Sequence, residues 1–165
     1  VRRPGAAKTR TDVVGADDEE AVKANWEKLK IKEGNQSVLQ GVPKSLPSLV
    51  KASRIQDKAK AVGFDWENAD QVWEKVQEEL VELQKEIKDK SSKSEIVSEF
   101  GDVLFSLINY ARFLDIDPDE ALEKTNKKFI SRFQFIETKA LESNRSIPDL
   151  SLEEMNLYWN QAKIK

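Results

Sequence analysis

Apolar residues recur at every third or fourth position along most of this chain, and no stretch alternates apolar and polar residues as a half-buried strand does. The clearest stripe consists of Val72, Val76, Leu80, Leu83 and Ile87. Its spacing puts these side chains on one side of an α-helix, which makes one turn about every 3.6 residues. The pattern predicts an all-α fold, a helical bundle resembling a four-helix bundle with an extra amino-terminal helix.

Start and stop signals divide the chain into three segments. Residues 1–16 contain Pro and Gly, carry early basic residues and show no periodicity, which predicts a disordered tail. Residues 17–45 are predicted to form a helix from Asp17 to about Gly34 and a linker. Residues 46–165 are predicted to be the main helical domain. Its expected helices run from Ser45 to Gly63, over 69–88, from Glu95 to Leu114, from Asp117 through Ile136, and over Leu152–Ala162.

Two of these helices have strong start signals. Asp117 followed by a proline and Glu120 fits an N-cap, and Ser151 followed by Glu154 has the spacing of a capping box. In the helix that begins near Glu95, the positions expected to point inward are Ile96, Phe100, Val103, Leu104, Leu107 and Ala111.

Composition excludes several kinds of chemistry. With no Cys and no His, the chain has no thiol nucleophile, imidazole base, disulfide or Cys/His zinc site. The net charge of -3 lacks the basic excess of a dedicated nucleic-acid-binding module, so no stable nucleic-acid binding is expected. The longest largely apolar stretch, residues 103–111, is too short for a membrane span. A cysteine-free chain is compatible with the cytoplasm, the expected location.

Two acidic motifs could carry chemistry. Glu79 and Glu82 share one helix face, as do Glu99 and Asp102 on the next helix, and antiparallel packing of the two helices would bring the four carboxylates together beside the core. Converging carboxylates favour a hard divalent cation, Mg²⁺ or Mn²⁺, whereas a di-iron site would use Glu-x-x-His pairs. The alternative is a solvated acidic helix face.

Further residues gain meaning if the metal works on phosphates. Lys128 and Arg132 are four positions apart and could neutralise polyphosphate oxygens, or they are ordinary surface cations. Trp159 could stack on a base, or it is a core or interface aromatic residue.

From about Gly41 to Lys165 the chain resembles MazG-type nucleoside triphosphate pyrophosphohydrolases. The motifs that carry the resemblance are GVPKSLPSLVKASRIQ, GFDW, EELVE, EFGDVLF and NKKFISRF. The resemblance implies hydrolysis of nucleoside triphosphates (NTP or dNTP) to the monophosphate and pyrophosphate. It also implies metal ligation by Glu79, Glu82, Glu99 and Asp102, a role for Glu78 on the attacking water, a catalytic basic pair at Lys128 and Arg132, and substrate binding by Asn126, Lys128, Arg132 and Trp159.

The resemblance further implies a homodimer and a role in nucleotide-pool sanitation or stress regulation. Two alternatives stay open: a regulator acting on alarmone nucleotides, and a non-catalytic helical binding domain. The start VRR and the later NWEKLK are similar to the end of a preceding MazG-like repeat. We therefore expect this chain to be the carboxy-terminal MazG domain of a two-domain protein.

Overall fold

A computed structural model of the chain describes residues 21, 22, 25 and 37–164. Within them the chain forms α-helices and two short 3-10 helices, Val38–Gly41 and Ile147–Asp149, and no strand, which confirms the all-α prediction. The helices are α1 (Ser48–Ala61), α2 (Ala69–Lys88), α3 (Lys93–Phe113), α4 (Pro118–Glu142) and α5 (Leu152–Ala162). None of the helices described here is both long and apolar enough to span a membrane.

The helix starts follow from local hydrogen bonds. At α5 the predicted capping box is present, with the Ser151 hydroxyl accepting from the Glu154 amide. At α4, Asp117 accepts from two first-turn amides, as predicted. The α3 helix starts at Lys93, two residues before the predicted start, because Ser92 and Glu95 exchange hydrogen bonds.

The first helix of the main domain starts later than expected. Its N-cap is Pro47 rather than Ser45. The helix ends at Ala61, shortly before Gly63, the residue predicted to stop it. Gly63 adopts a left-handed φ of 89°, and the amide of Phe64 donates back to the Ala59 carbonyl. A glycine is favoured at this conformation because it has no Cβ to clash.

Much of the amino-terminal prediction lies outside the described residues. The tail over 1–16 and most of the helix predicted from Asp17 are in this category. Ala21, Val22 and Asn25 are helical, as that prediction requires. Within the predicted linker, Val38–Gly41 forms a single 3-10 turn capped by the Ser37 hydroxyl.

The chain divides into two compact units between Tyr110 and Ala111. In the first unit, the buried side of α2 is formed by Val72, Val76 and the carboxylate residue Glu79. Leu80 and Ile87, which were predicted to point inward, are 38% and 55% exposed. The predicted stripe is therefore wrong at Leu80 and Ile87, while Leu83 is half-buried, and next to Leu80 it is Glu79 that takes the buried position.

The buried side of the α3 helix also differs from the predicted one. Val103 is buried as predicted, but Phe100, Leu104 and Leu107 are exposed, contrary to the prediction. Ser106 lies on the buried side instead. An apolar row is thus left on the surface of α3, and its buried side combines apolar and polar side chains: Val103, Ser106, Ile108 and Asn109.

The second unit is organised around α4 and α5. Its core consists of Ile136, Ala140 and Leu150, against which five partly buried residues pack: Phe133, Ile147, Met155, Tyr158 and Trp159. Both guanidinium nitrogens of Arg145 donate to Glu154, at 2.6 and 2.9 Å, and one also contacts the Asp149 carbonyl. These contacts join the end of α4 to the start of α5.

Candidate metal centre

A short turn joins the consecutive helices α2 and α3 of the first unit. Lys90 has a left-handed φ of 56°, and the Ser91 amide donates to the Glu86 carbonyl at 3.0 Å. This is the hydrogen-bond pattern that closes many helix ends. Because of this turn, residues in the middle of α2 can face residues in the middle of α3.

Carboxylates from both helices meet at that level. One oxygen each of Glu79, Glu99 and Asp102 lies within 4.8 Å of the other two. Glu79 is buried, Glu99 is half-buried and Asp102 is exposed, so the cluster opens from the interior of the unit to its surface. The prediction that the two acidic motifs converge is therefore met by three of the four residues.

The fourth predicted ligand, Glu82, lies outside this group of three but close to it. Partial burial raises the pKa of Glu99, and the negative charges of Glu82, Asp102, Glu79 and Glu86 raise it further. Like charges shift a carboxyl pKa in this way because they disfavour its ionised form. After burial, the charges of these carboxylates are the next largest cause of the raised pKa of Glu99, so they lie close enough to act on it.

Lys75 partly offsets this charge, and the sequence reasoning did not identify it. Its ammonium lies 2.7 Å from Glu79 Oε1 and 2.9 Å from Glu78 Oε1. The hydrogen bond to Glu79, then that to Glu78, raises the pKa of Lys75 well above its usual value. A signal for Lys75 is present in the sequence, since a lysine three and four residues from glutamates is the spacing of helical ion pairs.

Glu78 differs from its neighbour in exposure. Its side chain is 55% exposed, whereas that of Glu79 is 9% exposed. Consecutive helix residues point about 100° apart, so Glu78 lies beside the cluster rather than in it. Its contact with Lys75 nevertheless ties it to the buried ligand candidate.

The donor set suits a hard divalent cation. All candidate ligands are carboxylate oxygens, the ligands that Mg²⁺, Mn²⁺ and Ca²⁺ prefer, and the chain contains no His or Cys to attract softer metals. A cation would also relieve the repulsion that raises the pKa of Glu99. The residues present therefore fit a metal ion.

The remaining predicted residues lie in the second unit. Arg132 on α4 stacks over the Trp159 ring, with 5.5 Å from the guanidinium carbon to the ring centroid. Phe129 contacts the same ring, with 5.1 Å between centroids. Lys128 and Asn126 are exposed on α4. Trp159 therefore packs against the core of the second unit, which is one of the two possibilities that the sequence left open, and it also makes a cation–π contact with Arg132.

Comparison with known proteins identifies this region. Residues 67–134 match the model of the MazG nucleotide pyrophosphohydrolase domain. The matched segment contains both acidic motifs, Lys75 and the basic pair of α4. The match confirms, over these residues, the resemblance to MazG-type proteins that the sequence motifs carry.

Three similar proteins extend the match over most of the chain. The chain is 38% identical over 141 residues to the nucleoside triphosphate pyrophosphohydrolase/pyrophosphatase MazG of Thermotoga maritima, covering 84% of the chain and 54% of the relative. It is 35% identical over 153 residues to the nucleoside triphosphate pyrophosphohydrolase of Escherichia coli K12, covering 90% and 58%. It is 48% identical over 153 residues to the protein YabN of Bacillus subtilis, covering 91% and 31%. The chain thus spans little more than half, or less, of these relatives.

Proposed function

We propose that this chain hydrolyses nucleoside triphosphates, ribo- or deoxyribo-, to the monophosphate and pyrophosphate with the help of Mg²⁺ or Mn²⁺. The observation that carries the proposal is the meeting of Glu79, Glu99 and Asp102 oxygens within 4.8 Å. The names of two relatives support the same reaction. We assign the reaction to residues 46–165, and its cellular use to nucleotide-pool sanitation or stress regulation in the cytoplasm.

The acidic cluster would hold the cation through Glu79, Glu99 and Asp102, with Glu82 as the fourth ligand. A divalent cation bound there would neutralise phosphate oxygens and balance the charge that grows on the leaving pyrophosphate. Glu79, being buried, anchors the cluster from the interior side. Asp102 and Glu82 lie on the exposed side, where substrate arrives.

Glu78 is proposed to orient and deprotonate the attacking water. Its carboxylate is exposed and is held by the Lys75 ammonium at 2.9 Å. In the overall reaction, water supplies an oxygen to one phosphorus, the bond between the α and β phosphates breaks, and the water proton passes to Glu78. The net products are a monophosphate and a pyrophosphate.

The substrate-binding roles in the second unit are proposed from the motif that these residues match. Lys128 and Arg132 would neutralise polyphosphate oxygens, with Asn126 beside them in the same motif, and Trp159 would contact the base. The cation–π contact of Arg132 with Trp159 holds two of these side chains together within the unit.

A homodimer is the proposed working unit. Phe100, Leu104 and Leu107 form an exposed apolar row on α3, at 54%, 48% and 41% exposure. Exposed apolar rows of this kind commonly mark a surface that another chain covers. Sedimentation should show a dimer for the unmodified chain and a monomer for Leu104→Lys, and a monomer for both would contradict the proposal.

The direct test measures pyrophosphate and monophosphate release from a panel of ribo- and deoxyribonucleoside triphosphates, with Mg²⁺ and with chelator. We expect turnover only with metal. Glu79→Gln should lower kcat/KM by at least about 100-fold, since even partners of metal ligands contribute about 10–100-fold. Glu78→Gln should lower kcat while metal binding persists.

Glu74→Gln is the matched control, because Glu74 is an exposed glutamate on the same helix. It should keep full activity. Absence of turnover with every triphosphate, or unchanged activity of Glu79→Gln, would overturn the proposal. The first of these results would favour a binding domain or an alarmone-directed protein, and alarmone nucleotides would then be the next substrates.

A further inference from the structure

Gln56 is a buried residue that the proposed reaction does not use. It lies on α1, is 5% exposed, and donates from Nε2 to the Phe105 carbonyl of α3 at 2.9 Å. Its other amide atom, Oε1, is buried without a hydrogen-bond partner among residues 37–164. A buried acceptor left in this state costs free energy, and such groups are uncommon enough to need an explanation.

Packing alone does not explain a glutamine here. Phe105 lies inside α3, where a backbone carbonyl already accepts from the amide four residues later. A methionine or leucine would fill the same space without burying an unpaired oxygen. The feature that distinguishes a glutamine here is therefore the buried acceptor, which has no hydrogen-bond partner among residues 37–164.

The position of Gln56 relates it to the acidic cluster. Its partner Phe105 is three residues beyond Asp102 on α3, about 4.5 Å along the helix axis. Ser106, the next residue, is also polar and buried, and its hydroxyl donates to the Val103 carbonyl at 2.9 Å. Buried polar side chains thus continue about one helical turn beyond Asp102, among the apolar residues of the unit.

A nucleoside triphosphate has the shape to reach both places. When its phosphates lie at the acidic cluster, its nucleoside lies several ångströms away, and the nucleoside carries hydrogen-bond donors as sugar hydroxyls and base N–H groups. We propose that Gln56 Oε1 accepts a hydrogen bond from the nucleoside and so contributes to substrate affinity. Neighbouring side chains cover Oε1 in the ligand-free chain, so the nucleoside reaches it only when they move aside. This inference rests on the proposed function.

The test measures binding rather than turnover. The dissociation constant of the α,β-methylene analogue of ATP is determined by calorimetry with Mg²⁺ present, for the unmodified chain and for Gln56→Met. We expect binding to weaken about five- to tenfold, because one neutral hydrogen bond is lost from a water-poor site. The melting temperature should stay the same or rise, since an unpaired buried acceptor is removed with little change of volume.

Two further variants make the comparison specific. Gln84→Met places the same substitution at an exposed position on α2 and should leave the dissociation constant unchanged. Gln56→Leu is a second apolar replacement, which should weaken binding as Gln56→Met does even if one of the two folds poorly.

Analogues then identify the donor. Versions of the ligand that lack the 2′-hydroxyl, the 3′-hydroxyl or the exocyclic amine are compared on the unmodified chain and on Gln56→Met. The group that contacts Gln56 is the one whose removal weakens binding to the unmodified chain but not to the variant.

Equal dissociation constants for Gln56→Met and the unmodified chain would overturn the inference, and a lower melting temperature with equal binding would show a purely structural glutamine. Failure of the unmodified chain to bind the analogue would overturn it as well. Binding that depends on Gln56 without any hydrolysis of triphosphates would instead overturn only the proposed function.

Discussion

Each of the two units of this chain contains a prominent group of charged residues, and the two groups differ in how their charges are offset. In the first unit, carboxylates of α2 and α3 approach one another, and the pKa of Glu99 is raised by partial burial and by its acidic neighbours. In the second unit, Glu154 accepts two hydrogen bonds from Arg145 and one from the Ser151 amide, and its pKa is lowered to about 2.

The difference separates two uses of charge. In the Arg145–Glu154 pair and its capping box, both carboxylate oxygens of Glu154 accept hydrogen bonds, as expected of a structural contact. The acidic cluster leaves negative charge only partly offset by Lys75, which a protein retains where a cation or ligand completes the site. The pKa is raised at Glu99 of the acidic cluster and lowered at Glu154 of the ion pair, in keeping with this distinction.

The largest effect on stability is expected from removing the cation of the first unit. Lys75→Met leaves the buried Glu79 carboxylate without its ammonium partner in the absence of metal. Because the lysine is partly exposed, we expect a loss of about 1–2 kcal/mol in the free energy of unfolding, less than for a fully buried pair. Added Mg²⁺ should reduce this loss, as measured by urea denaturation with Mg²⁺ and with chelator.

The matched variant in the second unit is Arg145→Met. It removes the basic partner of Glu154 and should also lower the midpoint of denaturation. Here Mg²⁺ should not restore the loss, because no metal is expected at that pair. If Mg²⁺ restored the stability of both variants equally, or of neither, the claim that only the first unit binds the cation would be contradicted.

A smaller effect is expected from pH. The folded-state pKa of Glu154 is about 2, below its ordinary value of 4.5. A lowered pKa means that the ionised carboxylate stabilises the folded state above about pH 4.5, and that this contribution is lost as the pH falls toward 2. The difference in melting temperature between the unmodified chain and Glu154→Gln should therefore shrink as the pH is lowered from 5 to 2.

Glu153→Gln provides the control for this pH series, since Glu153 is an exposed neighbour in the first turn of the same helix. Its melting temperature should run parallel to that of the unmodified chain. A difference between the unmodified chain and Glu154→Gln that stays constant across the pH range would show that Glu154 contributes through something other than its charge.

Local signals in the sequence predicted much of the secondary structure. The bounds of α2 and α5 agree with the expectation because periodicity and capping residues act within a few positions. The start of α3 was missed by two residues, since Ser92 and Glu95 form a capping arrangement that the apolar pattern does not reveal.

The inward faces were harder to predict for a physical reason. Hydropathy assigns burial to apolar residues, whereas Glu79 is buried and Leu80, Phe100 and Leu104 are exposed. The burial of a carboxylate depends on neighbours from another helix, and the exposure of an apolar row depends on what covers it outside the chain. Neither is encoded in the spacing of one helix.

The candidate site shows the same limit. The spacing of the two acidic motifs predicted that the carboxylates meet, and the structure brings Glu79, Glu99 and Asp102 together. Lys75 could have been found from its helical ion-pair spacing to Glu78 and Glu79, whereas Gln56 required the structure because its contact joins α1 to α3.

The most direct test of the account is a titration of the chain with Mn²⁺, in which free Mn²⁺ is followed by its electron paramagnetic resonance signal. We expect saturable binding to the unmodified chain and to Glu74→Gln, and binding at least about tenfold weaker to Glu79→Gln. Absence of saturable binding to the unmodified chain, or equal binding to all three proteins, would contradict the assignment of the α2 and α3 carboxylates as a metal centre.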